Sequence, residues 1–346
     1  MQNDPVSHFE SVFADKIGSR YAIAVNSGTS ALHAALVALD VKGGEVIMPA
    51  LCPAMDAFAI IHAGATPVFA DVDPLTHLVT YDTLAKAVSP RTKAIIAVAL
   101  HGLPCDIDSI RKLGIPIIED CAQCLFGGYN SVYAGTKADL GCFSFERKKH
   151  LTTGSEGGCI VSNNPELATR ARKFAGIGYK HMTAEAGRTS LNASAFQRPD
   201  YERFDTIGLN YRLSHVQAEI GLETLKSIKA AIKQRQEIGA MWESALGQKC
   251  QPHTYKADNV FYSAAYEYGG DWEAFYNEFV KEGGDGFYAM PQCPFWEPVF
   301  KKSMMPIGNN NSYVAQGLQQ RLMLFKTHYH NMYYAESQAR LLASII

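Results

Sequence analysis

The sequence predicts an α/β protein: a large unit built on a mainly parallel seven-stranded sheet, followed by a small C-terminal α+β unit. Three observations carry that expectation. Between residues 21 and 161, seven short apolar runs alternate with amphipathic, helix-like stretches. The runs are apolar throughout rather than at every second position, as suits strands covered by helices on both faces. Past residue 161 the alternation stops and a different rhythm begins.

In chain order the runs are YAIAV (21–25), EVIM (45–48), PVFA (67–70), AIIAVA (94–99), PIIE (116–119), GCFSF (141–145) and GCIV (158–161). Helical patterns such as TSALHAALVAL and YDTLAKAV separate them. PELATRARKFAGIG then reads as a helix, and residues 180–206 as a long polar loop. LSHVQAEIGLETLKSIKAAIKQRQEIGAMWESAL reads as one long connecting helix. The last hundred residues hold VFYSAAYEY (strand), DWEAFYNEFVKEGG (helix), GFYAMP (strand) and a closing helix at 335–345. The expected division is 1–232 for the large unit and 233–346 for the small one.

A chain of 346 residues, 47% hydrophobic and 19% charged, has room for two cores. Its net charge of -2 gives no electrostatic reason to expect nucleic acid or an anionic membrane as partner. The N-terminal stretch carries acidic residues and no apolar segment, so no signal peptide is expected. No apolar run reaches the length of about 18 residues that a membrane helix needs. Eight cysteines, several in apolar runs, fit a reduced cytoplasmic protein. CAQC (121–124) has neither a second CxxC nor a spaced His pair, so metal and redox roles are not expected of it.

Chemistry concentrates in three stretches. In VNSGTSALHAAL (25–36) a strand ends, Ser27–Ser30 turn, and a helix begins. Free backbone N–H groups there make either a phosphate site or an ordinary Ser/Thr helix cap. In IPIIEDCAQ (115–123) a buried strand ends in Glu119 and Asp120, with Gln123 one turn on. Ligands of parallel sheets bind beyond the carboxyl ends of strands, so a carboxylate there meets a ligand cation or caps the next turn. In FSFERKKHLTTGSEGG (143–158) Lys148 and Lys149 follow another strand. A partly desolvated lysine can be a Schiff-base nucleophile, whereas a lysine pair is ordinarily a solvated turn. Phosphate cradle, strand-end acid and lysine are together the three parts pyridoxal phosphate (PLP) needs.

At this point the chain resembles the DegT/DnrJ/EryC1/StrS family of PLP-dependent sugar aminotransferases, of fold type I (aspartate aminotransferase-like). The matching pieces are SGTSAL (27–32), GGEVIMPA (43–50), AGATPVFADVDP (63–74), HGLPCDID (101–108), IEDCAQ (118–123), FSFERKKHLTTGSEGG (143–158) and GLNYRLSHVQAEIGL (208–222). They stand in the family's order over nearly the whole chain. The resemblance implies that Lys149 forms the Schiff base with PLP and that Lys148 occupies a variable position. It implies Asp120 as partner of the pyridine nitrogen and Gln123 as a polar residue facing the cofactor. Gly28, Thr29 and Ser144 match phosphate-binding positions. Asn210 matches an asparagine that reaches the phosphate of a neighbouring subunit, which implies a homodimer with shared active sites.

Two departures accompany it. An aromatic residue stacked on the cofactor in many relatives is replaced here by Pro53, in PALCP. The N-terminal stretch is short, which leaves less protein to cover the substrate. The implied reaction moves an amino group from glutamate or glutamine to a keto sugar (nucleotide-linked, or a keto-cyclitol or sugar phosphate) by a ping-pong mechanism with Lys149 as acid/base. Substrate contacts are expected from 180–206 and 290–300. There Tyr179, Phe295 and Trp296 line the pocket or, as the commoner role, pack in the core; His150 is ambiguous. Two alternatives stand: a PLP-dependent sugar dehydratase, whose relatives carry histidine in place of the lysine, and a non-catalytic regulatory homologue.

Overall fold

A computed structural model describes residues 4–129, 132–185, 187, 194, 197–247, 251–252, 257–287, 293–302 and 312–346. All seven expected runs are strands of one sheet: β1 Tyr21–Val25, β2 Glu45–Pro49, β3 Thr66–Ala70, β4 Thr92–Val98, β5 Ile117–Asp120, β6 Leu140–Ser144 and β7 Gly158–Ser162. Their spatial order is β1-β7-β6-β5-β4-β2-β3. Every neighbouring pair is parallel except those made by β7, which runs antiparallel to both β1 and β6.

Alternate residues of a strand face opposite sides of a sheet, and here each side meets its own core. Ile23, Val25, Leu140, Cys142 and Ile160 enter a core covered by helix α2 (Gly28–Ala38) and helix α3 (Met55–His62). Ala22, Ala24, Phe143, Cys159 and Val161 enter a second core with Phe9 and Phe13 of helix α1 (Pro5–Ile17). Burial on both faces is why the strands read as unbroken apolar runs. Helix α4 (Pro165–Ala175) follows β7 and packs on α2 and β1.

Helix α5 spans His215–Leu246 and is capped by Ser214, which accepts from the Gln217 N–H while Gln217 caps it in return. Ala218, Leu225, Ile228 and Ile232 of α5 lie in the second core; Ile238, Trp242 and Leu246 lie in a third. The expected boundary at 232/233 therefore falls inside a continuous helix, at the turn where it changes core. The third core joins α5 to β8 (Ser263–Glu267), β9 (Leu322–Lys326), α6 (Trp272–Lys281) and α7 (Met332–Ile345). Strand β8 pairs antiparallel with β9 and with Gln251–Pro252.

One expectation needs correcting. In GFYAMP, Gly286 and Phe287 are not in a strand, and 288–291 lie outside the described residues. Strand β8 pairs with LMLFK, a run preceded by a helix, Tyr313–Gln319, whose Ala315 and Leu318 reach the first core. Among the described residues no helix is long and apolar enough to cross a membrane.

Candidate active site

The carboxyl ends of β1, β5 and β6 share one edge of the sheet, and the motif residues gather there. At the end of β1, Ser27 caps α2 by accepting from the Ser30 N–H at 3.0 Å, and Ser30 Oγ donates to Asn26 Oδ1 at 2.7 Å. Gly28 and Thr29 begin the helix, so their N–H groups have no carbonyl a turn back to bond. Gly28 lies directly against Ser144 at the end of β6: a Cβ on Gly28 would come 2.8 Å from Ser144 Cβ. Gly158 pairs with Val25 on one side and Ser144 on the other. A Cβ there would meet the Ser27 carbonyl oxygen at 2.5 Å. Two glycines and a serine thus form a turn into which no further carbon fits, with hydroxyl and N–H donors on its rim.

Alternation along β5 separates its two acids. Glu119 faces away, accepting from the Gly135 N–H at 2.6 Å. It is buried, and burial pushes its pKa up to about 7. Asp120, 6% exposed, faces the crevice and accepts from the Ala122 N–H at 2.9 Å. Burial raises its pKa too, while the Ala122 N–H, the Lys149 ammonium and Asp56 hold the rise back. Gln123 is buried, and its Oε1 accepts from the His101 N–H at 2.9 Å, which anchors it beside Asp120.

The two lysines differ in exposure and contacts. Lys148 is exposed and Lys149 is half-buried. The Lys149 ammonium lies over the Tyr262 ring, 4.4 Å from its centroid, a cation–π contact. The buried Arg235 guanidinium fixes the loop, donating to the carbonyls of Lys148 at 2.8 Å and Lys149 at 3.2 Å. It also reaches Tyr262 O and Thr327 Oγ1, at 3.3 and 3.4 Å. His150 is buried and tied to the backbone: Nε2 donates to Val260 O at 2.9 Å, and burial with the Arg235 charge brings its pKa down to about 3.

Three residues of this site escaped the sequence reading: Arg235, Tyr262 and Asp56. Asp56, in the first turn of α3, is fully buried, and neither carboxylate oxygen has a hydrogen-bond partner. Its pKa is pushed well up by burial and then by Asp120, with Lys149 opposing. The acidic first turn of a helix was the one local signal available. Beside it Cys52 is buried and Pro53 half-buried, so the wall at the ring-stacking position is small and apolar.

The structure does not draw every expected residue into the crevice. Asn210 is exposed, and its Oδ1 accepts from Arg212 Nε at 3.0 Å. Its neighbour Tyr211 accepts from the Asn26 N–H at 2.7 Å, so Asn210 stands at the outer rim of the β1 turn. Phe295 is core, edge-on to Phe69 at 5.2 Å, and Trp296 packs against the same core. Tyr179 stacks on Phe204 at 4.8 Å across the 180–206 loop. Residues 290–292 and parts of that loop lie outside the described residues. Cys121 and Cys124 are buried thiols, and no metal-binding cluster occurs among the described residues.

A donor-lined turn, a buried acid and a held lysine at the carboxyl edge of a seven-stranded sheet define a PLP-dependent transferase of fold type I. The orphaned Asp56 and the closed Gly28–Ser144 contact fit such a group. Comparison makes the class particular: residues 1–267 match the DegT/DnrJ/EryC1/StrS aminotransferase family, and the chain belongs to it. The cofactor is pyridoxal phosphate. A GDP-perosamine synthase from Caulobacter vibrioides is 36% identical over 248 residues, covering 70% of this chain and 62% of that protein. An aminotransferase structure from Psychrobacter cryohalolentis superposes with a TM-score of 0.85 at 25% identity, covering 99% of this chain and 90% of that one. An E. coli GDP-4-keto-6-deoxy-D-mannose-3-dehydratase with bound hydrated PLP shares the fold, with a TM-score of 0.86, 22% identity and coverage of 100% and 92%.

Proposed function

We propose that this protein is a sugar aminotransferase. It moves an amino group from glutamate or glutamine to a keto sugar, nucleotide-linked and of the GDP type by likeness to the perosamine synthases, in amino sugar biosynthesis. The observation that carries this reading is the position of Lys149: half-buried, held by Arg235 and Tyr262, and within electrostatic range of Asp120. Pyridoxal phosphate supplies an aldehyde for the lysine and an electron sink for the amine carbon. The chain's residues do the rest. Gly28 and Thr29 N–H groups and Ser144 Oγ bind the phosphate at the helix start, where the dipole favours an anion. Asp120 keeps the ring nitrogen protonated, and Gln123 faces the cofactor beside it. Lys149 Nζ would be the group that takes up and returns a proton on its side of the crevice. The small wall at Cys52 and Pro53 takes the place of a stacked ring.

The exposed Asn210 at the rim of the turn suits a residue that reaches a second copy's phosphate, so we read the protein as a homodimer with shared active sites. Free buried thiols support a cytoplasmic setting. The dehydratase alternative needs a histidine where Lys149 stands. The adjacent His150 is tied to Val260 O instead, which favours transamination.

The test is borohydride reduction of the PLP-loaded protein, then peptide mapping of 143–158. A pyridoxyl adduct on Lys149 is expected, with aminated rather than deoxygenated sugar as product. An adduct on Lys148, or none, would overturn the assignment.

A further inference from the structure

We propose that Asp56 and Asp120 act as one proton-sharing unit at the floor of the crevice, in which Asp56 holds the proton and is the positioning residue for Asp120. The proposal deepens the aminotransferase reading and rests on it for Asp120's part.

Asp56 is 0% exposed, and neither of its oxygens meets a donor. Buried polar groups in folded proteins are nearly always satisfied, so an orphaned carboxyl needs a reason. Capping is not the reason, because the N-cap of α3 is Ala54 and no side chain caps it. An ionised carboxylate here would bear the desolvation of a full charge beside the Asp120 carboxylate, with only its own backbone N–H and the Lys149 charge to offset it, so the group keeps its proton and shares it with Asp120.

The groups facing it come from four elements. They are Asp120 at the end of β5, Lys149 on the loop after β6, Cys142 of β6, and Cys52 of the wall before α3. Cys52 donates its thiol hydrogen to Pro49 O at 3.2 Å, and burial keeps both thiols protonated. Lys149 can only donate. Asp120 alone offers an acceptor: one oxygen takes the Ala122 N–H at 2.9 Å, and the other remains for Asp56. A neutral acid beside a carboxylate donates a charge-assisted hydrogen bond, among the strongest available. That bond fixes the plane of Asp120 and stabilises its ionised form, the form that holds a protonated ring nitrogen. Lys149 favours the same state of Asp120 from the other side. Asp56 thus supplies a rigid backing to the acid, while the apolar Pro53 wall leaves ring placement more dependent on that acid.

Two measurements on the full chain test this. Infrared difference spectra of the apo protein at pH 9, where Glu119 is ionised, should show the carbonyl band of a buried carboxylic acid that is absent in Asp56→Asn. PLP affinity should stay within about threefold in Asp56→Asn, which keeps a donor, and weaken about tenfold or more in Asp56→Ala. Absence of the band, or wild-type affinity in Asp56→Ala, would each overturn the proposal. Should Asp56→Ala not fold, the band and the Asn variant still decide: an Asn variant weakened as much as a lost hydrogen bond would also overturn it. Wild-type protein that binds no PLP would instead sink the aminotransferase reading, while the band would still judge the carboxyl pair.

Discussion

Replacing Gly158 by alanine should damage both the fold and the phosphate turn. The added Cβ would lie 2.5 Å from Ser27 O, 2.6 Å from Ser27 C and 2.8 Å from Gly28 N. All three are backbone atoms, so no side chain can swing aside. Non-bonded carbon rests at about 3.5 Å from its neighbours, so β7 and the α2 cap must part by roughly 1 Å. Gly158 pairs with Val25 and Ser144, so this separation pulls on both strand partners at once. Overpacking of this kind costs about 1–3 kcal/mol, and a strained ladder bond adds about 1 kcal/mol. The alanine's stiffer unfolded chain returns at most about 1 kcal/mol. A net loss of about 1–4 kcal/mol is expected in urea unfolding of the apo protein, with PLP binding weakened at least tenfold. Gly269→Ala is the control, since nothing lies within 4 Å of its added carbon. If Gly158→Ala unfolds within 0.5 kcal/mol of wild type and binds PLP normally, the closed turn inferred from the geometry is wrong.

Other expectations follow from buried charge and hydrogen bonding. Arg235→Met strips donors from the Lys148 and Lys149 carbonyls and should cost about 2–4 kcal/mol, read in urea, with a lower yield of reduced adduct on Lys149; an unchanged adduct yield would show that the loop holds itself. Glu119, with its pKa raised from 4.5 to about 7, keeps its proton when folded where the unfolded chain has lost it. Its stabilising contribution is therefore complete below pH 4.5, falls as pH rises to 7 and stays lost above. Denaturation of wild type and Glu119→Gln across that window should diverge by roughly 3 kcal/mol, and parallel curves would refute this. Glu10 and Arg172 form a buried ion pair at 2.9 Å, with Glu10 also accepting from the Ala24 N–H. Glu10→Ala should destabilise by about 3–5 kcal/mol in thermal or urea melts, and a loss below 1 kcal/mol would mean water reaches Arg172.

The seven sheet strands could be read from the chain within a residue or two because burial on both faces leaves a continuous apolar signature. The direction of β7 could not, since antiparallel pairing leaves the same signature when both faces are covered. The C-terminal sheet was half legible: VFYSAAYEY reads as a strand, but its partner LMLFK goes unassigned while GFYAMP reads as the second strand. The positions of Ser27–Ser30, Asp120 and Lys149 were legible because each lies at or just past the end of a buried strand. What escaped came from far away. Arg235 bonds carbonyls 87 and 86 positions earlier, and no local pattern shows that. Asp56 sits in MDAFAIIH, where an acid in the first turn is an ordinary surface choice; only the assembled sheet reveals that it is sealed in.

The clamp on Lys149 bears on how such a protein comes off the ribosome. The Gly28, Ser144 and Gly158 contacts of the turn need only residues up to β7, and the bond from the Asn26 N–H to Tyr211 O follows later in the chain. The lysine that lies just before β7 must wait for Tyr262 beneath it, Arg235 behind it and Thr327 to complete the arginine's bonds. A nascent chain would thus present the glycine-lined turn early and Lys149 in its final pose only near the end of synthesis. The order of translation separates the shaping of the turn from the fixing of the lysine.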